Sequence, residues 1–210
     1  MLPPTIPIFP LDKVVLFPNV FLPLHVFEPR YRTMVGDALQ GDRIIGMVLL
    51  RPGFEADYDG RPPVYPVGCA GVITHNERLT DGRYNIVLRG IEKFRIREED
   101  ASRPYRLAHV EPLPEWADDG QREELRRQRQ RLEALLAAAV ERSGAEPRFP
   151  PAVPDEDLVN ALAQYLELDA IERQALLERE GTLSRCRALI ELLEMKVHAP
   201  RGAWDKGVSH

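Results

Sequence analysis

An α+β fold, with strands in the first half of the chain and helices in the second, is what the sequence predicts. Three observations carry that prediction. Val67 to Asn76 and Arg83 to Arg97 are strand-like runs on either side of Asp81-Gly82, a strong hairpin signal because primed turns need the positive φ these residues tolerate. Gln121 to Arg142 holds no proline or glycine and is rich in good helix formers. Seven of the 19 prolines fall within residues 1–30, which makes the opening extended and irregular.

Taken in order, Ile6 to Phe9 and Val20 to Val26 are short strand candidates. Glu28-Pro29 opens a helix with proline in its first turn, where a missing N–H does no harm. Tyr31, Met34, Val35, Ala38 and Leu39 trace its apolar stripe, and Gly41 stops it. Arg43 to Leu50 reads as a strand buried on both faces. Arg51 to Pro66, with four prolines and two glycines, has no period and is either functional or mobile. In the second hairpin strand Tyr84, Ile86 and Leu88 point inward, Gly90 marks a bulge or a close backbone approach, and Phe94 and Ile96 resume the pattern. Tyr105 to Val110 is a further strand.

In the helical half, three shorter helices follow the long one. Asp155 is a candidate cap for the first, which should bury Leu158, Leu162, Tyr165 and Leu166. Asp169-Ala170-Ile171-Glu172 has the spacing of a capping box, and Thr182 is a candidate cap for the last helix, whose stripe runs through Leu183, Cys186, Ile190, Leu193 and Val197. The reading divides the chain into a β-rich lobe (residues 1–114), a helical lobe (115–198) and a flexible tail (199–210). Glu111-Pro112-Leu113-Pro114 is the stiff joint.

Composition excludes several functions. The longest unbroken apolar runs are seven residues, against roughly 20 for a membrane helix. The first residues have neither a basic region nor an apolar core of a secretory signal, so the expected location is cytoplasmic. Two cysteines, Cys69 and Cys186, cannot frame a disulfide scaffold. The net charge is -5, and residues 1–114 carry as many acidic as basic groups, 14 of each. Nucleic-acid binding wants a local basic excess, so this balance argues against it.

No catalytic constellation emerges. No lysine follows a glycine, which rules out a phosphate-cradling G-x-x-x-x-G-K-[ST] loop. The four serines read as caps or loop residues, and both cysteines sit on apolar stripes. No two of the five histidines share a metal-ligand spacing. Neither a metal nor a cofactor is expected.

Five blocks in order resemble a known family. Ile8-Phe9-Pro10-Leu11, Val14 to Pro18 and Leu22-Pro23-Leu24 closely resemble the opening of the LON N-terminal domain, and Phe27-Glu28-Pro29-Arg30-Tyr31 looks like its stand-alone branch. Val67 to Ile73, Val87 to Ile96 and the helical segments within Leu158–Leu193 resemble its later blocks. The resemblance covers about residues 6–197. It implies a PUA-like β-barrel lobe followed by a helical bundle lobe. It also implies a non-catalytic module that recognises unfolded or partly folded polypeptides, an adaptor in protein quality control, because in the ATP-dependent Lon proteases this region recognises substrate. There it also helps assemble the hexamer, so self-association is a further implication. The phosphate loop and the protease motif of those enzymes are absent from these 210 residues.

Two rival readings stay open: an RNA-binding PUA-like protein, and a small-molecule binder or hydrolase using the cleft between lobes. Within the polypeptide-binding reading, the stretch Val14 to Phe27 draws attention because only Asn19 and His25 are polar. Either it is fully covered, or the turn Leu16-Phe17-Pro18-Asn19 and Phe21 expose an apolar patch that receives clients. On the second alternative His25, Glu28, Arg30 and Tyr31 form its polar rim.

Overall fold

The computed structural model describes residues 2–54, 60–141 and 153–198; side chains are described through Ala138 in the long helix and Lys196 in the last. Strands β1 (Thr5–Leu11), β2 (Phe21–Val26), β3 (Ile44–Leu49), β4 (Val67–Arg78), β5 (Tyr84–Asp100) and β6 (Arg106–Leu113) precede four helices, with helix α1 (Pro29–Gln40) between β2 and β3. The later helices are α2 (Asp119–Glu141), α3 (Asp155–Tyr165), α4 (Ala170–Leu177) and α5 (Gly181–His198). The last strand ends at Leu113 and the next helix begins at Asp119. The expected tail, residues 199–210, and the end of the long helix at Arg142 lie outside the described residues.

The sheet order is β2-β5-β4-β3-β1-β6, and β6 pairs back onto β5, closing five strands into a ring with β2 laid on the outside edge. Closure depends on the length of β5. Its first half pairs with β2 from Phe21↔Arg89 to Val26↔Tyr84, and its second half pairs with β6 from Lys93↔Leu113 to Asp100↔Leu107. The barrel interior is filled by Ile6, Ile8, Val48, Ala70, Phe94, Ala108 and Val110, at least one from each ring strand. Glycines at 46 and 68 make room for the Phe94 ring, which a Cβ at either position would meet.

A second, larger cluster lies outside the barrel. It joins Phe9, Ile45, Met47, Cys69, Ile86 and Leu88 of the sheet to Tyr31, Met34 and Val35 of α1 and to Leu125, Val159, Leu176 and Leu189 of the later helices. Buried positions on both faces explain why β3 is apolar throughout. The barrel and the helical bundle share this cluster.

The β4–β5 hairpin shows two departures from expectation. Gly82 has φ 82, while Asp81 is absent from the described positive-φ residues, so the turn is not a primed one. The Gly82 N–H donates to the Leu79 carbonyl and the Leu79 N–H to the Arg83 carbonyl, the three-residue turn that closes on a left-handed glycine. Further along, Gly71 pairs with Gly90 but Ala70 pairs with Glu92, so Ile91 is an extra residue. A bulge reverses the side-chain phase. Leu88 therefore joins the outer cluster and Phe94 the barrel interior, although even spacing alone would put them on one face.

Helix ends also differ from expectation. Asp155 is the first residue of α3, with Pro154 in the cap position, and its carboxylate accepts from Arg129 Nη1 at 2.8 Å. Thr182 lies inside α5, which starts at Gly181, and its hydroxyl donates to Glu115 Oε2 at 3.2 Å. Both side chains are recruited by charged partners on other segments. The Asp169–Glu172 capping box is present, with the Asp169 N–H donating to Glu172 Oε2 at 2.8 Å. Tyr165 is exposed rather than buried.

Gly90 shows both features its position suggested. Besides preceding the bulge, it lies so close to the 17–18 backbone that a Cβ would collide with the Phe17 carbonyl oxygen. That oxygen belongs to a segment clamped by α3 and cannot yield. Gly90→Ala should therefore cost about 3 kcal/mol of unfolding free energy, read as a lowered midpoint in urea unfolding.

Candidate functional site

The apolar stretch 14–27 is decided by α3. Phe17 is 0% exposed, and its ring lies 5.6 Å from the Arg185 guanidinium carbon. Its N–H donates to Gln164 Oε1 at 3.0 Å, while Gln164 Nε2 and the Tyr165 hydroxyl both donate to the Phe21 carbonyl, at 3.1 and 2.6 Å. Asn160 Nδ2 donates to the Pro18 carbonyl at 3.1 Å. Asn19 completes the turn at φ 60, a left-handed conformation that asparagine tolerates, and its Nδ2 donates to Asp157 Oδ1 at 2.8 Å. Positions 157, 160 and 164 share one face of α3; 160 and 164 hold backbone groups of residues 17, 18 and 21, and 157 holds the Asn19 side chain. The patch expected at Leu16-Phe17 is thus corrected to core: both side chains are buried, because a polar helix face satisfies the turn's backbone and lets its apolar groups turn inward.

The remaining expected site residues are scattered around this turn. Pro18 is half-buried, and Phe21 stays 52% exposed beside Tyr165. Tyr31, expected at a polar rim, is instead buried, its ring 4.3 Å from that of Phe9 and the Arg30 guanidinium carbon 4.7 Å from its ring centroid. Arg30 Nε donates to Glu28 Oε2 at 3.0 Å. His25 is exposed and belongs to a hairpin network. A guanidinium can only donate, so Arg83 Nη1 donates to His25 Nε2 at 3.2 Å, and the proton on Nδ1 goes to Asn85 Oδ1 at 2.7 Å. Asn85 Nδ2 donates in turn to Glu77 Oε2 at 2.9 Å. This chain holds the imidazole 6.4 Å from the Phe27 ring and nearly parallel to it.

Phe27 leads to a surface that the sequence reading did not single out. A groove of about 910 Å³ opens between the β2–α1 corner, the end of β3 with the chain that leaves it, and the start of α4. Phe27, Phe54 and Ile171 line it and remain 60%, 44% and 54% exposed. Pro52, Leu49 and Leu50 extend the apolar lining, and Glu28, Arg51 and Glu172 edge it. Three large apolar side chains left in water around one concavity are the kind of patch that marks an interaction site. The only sequence signal for it was the position of Phe27 next to Glu28-Pro29; Phe54 and Ile171 lie far apart in the chain and meet only through folding.

The strongest electrostatic feature is structural. Arg185 is fully buried and donates to both carboxylate oxygens of Glu115, to Asn160 Oδ1 at 2.5 Å and to the Leu176 carbonyl at 3.1 Å. Lys93 donates to Glu115 Oε1 at 2.7 Å and to the carbonyls of Leu177 and Arg179 at 3.1 and 2.7 Å. Burial by itself would raise the Glu115 carboxyl, but the Arg185 guanidinium and Lys93 outweigh it and hold the group below its ordinary 4.5. Burial pushes the Lys93 ammonium down, with its hydrogen bond to Glu115 working against that.

Burial likewise pushes the Cys69 thiol up to about 12 and that of Cys186 up to about 11, which leaves both as protonated, unreactive core groups. Among the described residues no cluster of three His, Cys, Asp or Glu side chains could hold a metal ion, and no helix is long and apolar enough to cross a membrane.

A closed barrel and a helical bundle share one core, with an apolar groove at their junction. The family model for the ATP-dependent protease La (LON) substrate-binding domain matches residues 5–195, and the chain belongs to that family. It is 30% identical over 186 residues to Lon protease 2 of Syntrophobacter fumaroxidans, covering 86% of this chain and 23% of that protein. It is 27% identical to Lon protease 2 of Myxococcus xanthus, covering 93% of this chain and 24% of that one. The chain thus spans about a quarter of these relatives. Among solved structures, a Lon N-terminal domain protein from Xanthomonas campestris is 26% identical with a TM-score of 0.61, over 90% of this chain and 97% of that one. The N-terminal domain of the Mycobacterium avium complex Lon protease, at 19% identity and a TM-score of 0.63, shares the fold over 90% of this chain and 98% of its own.

The buried triad sets a pH dependence. A carboxyl held below its ordinary value contributes stability that is present above about pH 4.5 and lost as pH falls through the folded-state value. Glu115→Gln leaves two buried cations without their anion. It should cost about 3 kcal/mol at neutral pH and flatten the acid limb of a stability–pH profile measured by urea unfolding between pH 3 and pH 7.

Proposed function

We propose that this chain is a non-catalytic module that binds polypeptides in extended or unfolded form, and that the groove around Phe27, Phe54 and Ile171 receives their apolar side chains. The observation that carries the reading is the exposure of those three side chains around one concavity of about 910 Å³. Membership of a substrate-binding family, with relatives named as proteases, supports polypeptide as the ligand. A protease client offers mainly apolar side chains that a folded protein hides, and apolar burial against the groove supplies binding free energy without a defined sequence.

The groove takes side chains rather than an added strand. The Gly90 N–H donates to the Val20 carbonyl, so the even-numbered positions of β2 face β5 and the odd ones face away. Of those, the Phe21 carbonyl is occupied by α3 and Pro23 has no N–H to give. The free edge of β2 is therefore interrupted at Phe21 and Pro23 and is a poor template for β-augmentation. His25 and Glu28 flank the groove as its polar margin. Phe21, beside Tyr165, is a secondary contact on the same face of β2 as its odd-numbered neighbours.

The RNA-binding alternative gains no support from the two largest grooves among the described residues, neither of which is predominantly basic and ringed by stacking aromatics. Quality-control work as an adaptor and a cytoplasmic location extend the same proposal.

Phe27→Ser combined with Ile171→Ser should weaken binding to a permanently unfolded model protein by about tenfold, measured by fluorescence anisotropy. Circular dichroism should stay unchanged because both side chains are exposed. Trp116→Ser, which removes an exposed aromatic outside the groove, should leave binding intact. Undiminished binding by the double variant would reject this groove.

A further inference from the structure

A second, smaller cavity adjoins the groove, and its chemistry is different. It encloses about 300 Å³ and is lined by three arginines, Arg30, Arg61 and Arg106, with no carboxylate among the described residues of its lining. Leu50 lines both openings. The Glu28 carboxylate on the groove side accepts from Arg30, which lines the cavity, so the Glu28–Arg30 pair stands between them. The chain leaving β3 supports both. Leu50 bridges Val64, and the Arg51 N–H donates to the Pro63 carbonyl, which brings Pro52 and Phe54 to the groove and Arg61 and Pro62 to the cavity.

The three cations differ in how far they are committed. Arg106 is buried, donates from Nε and Nη2 to Glu99 at 2.7 and 2.5 Å, and gives Nη1 to the Pro62 carbonyl at 2.7 Å. It is a fixed wall. Arg61 is exposed and makes one long hydrogen bond, 3.4 Å to the Asp100 carbonyl, among the described residues. Its guanidinium is the donor most readily given to a ligand. Among the described residues Arg30 and Arg106 already hold Glu28 and Glu99, so an incoming carboxylate is met by the planar guanidinium of Arg61.

We propose that this cavity receives the acidic side chain of a bound polypeptide, an aspartate or glutamate lying within a few residues of the apolar side chain held in the groove. The inference rests on the polypeptide-binding reading above and names the client chemistry that the site prefers. A free C-terminal carboxylate is the less suited occupant. Such ends are captured by runs of backbone N–H groups, whereas Pro10, Pro62 and Pro104 in the lining have none to offer. Clients carrying an apolar residue followed closely by an acid are accordingly bound in preference to purely apolar ones.

The test uses the full chain and fluorescein-labelled peptides with an amidated C-terminus, each with a Leu-Phe-Leu block followed by either paired glutamates or paired glutamines. The glutamate peptide should bind about fivefold to tenfold tighter at low salt, and added salt should shrink that advantage. Arg61→Gln should remove most of the advantage and leave the affinity for the glutamine peptide unchanged. Equal affinities, or an advantage that survives Arg61→Gln, would overturn this inference while leaving the groove in place. An advantage seen only for a glutamine peptide with a free C-terminal carboxylate would also overturn it. Failure of every peptide to bind would defeat the polypeptide-binding reading itself.

Discussion

The burial of Arg185 is the constraint around which the two halves of the molecule are arranged. A guanidinium fully removed from water is tolerated only when its donors and its charge are met. Here Glu115 from the joint, Asn160 from α3 and the carbonyl of Leu176 in α4 meet them, with the Phe17 ring packed alongside. Glu115 is shared with Lys93 of β5, which also holds the carbonyls at the end of α4. Barrel, joint and three helices are thereby tied to one buried charge cluster. An apolar core alone is indifferent to small rotations of one layer on another, whereas hydrogen bonds of fixed direction are not. This cluster sets how the helical half sits on the barrel.

The same logic governs the turn at residues 16–21. Its side chains are apolar, yet its backbone N–H and C=O groups enter the interface with them and need partners. Gln164, Asn160 and Tyr165 supply those partners from α3, Asp157 holds the Asn19 side chain, and the tight approach of Gly90 completes the fit. Polar residues on a helix that faces the core are thus bound to a specific stretch of chain. Once α3 has taken the turn, Phe27 and Ile171 have no covering element among the described residues, and the groove lies at that corner.

Juxtaposed with that groove, the arginine-lined cavity gives one face of the protein two chemistries within a short reach. Apolar contact is sequence-tolerant and charge recognition is selective. On the proposed reading, their combination would let one surface accept many unfolded chains while ranking them.

Several features were legible in the residues themselves. Strands before residue 113 and helices after 119 follow from proline placement, turn glycine and the helix-forming run of α2, because these are local backbone preferences. The family was legible as well, since its blocks recur in order along the chain. The surface was not. Whether Phe17 is core and Phe27 exposed depends on which polar side chains of α3 reach a turn more than 130 residues earlier. The opposite faces of Leu88 and Phe94 depend on a one-residue bulge opposite β4. Local preference sets each segment's conformation, but exposure is a property of the assembled layers. The sequence by itself therefore determined the order and kind of the elements, and the tertiary structure alone decided which apolar side chains were buried and which were left exposed.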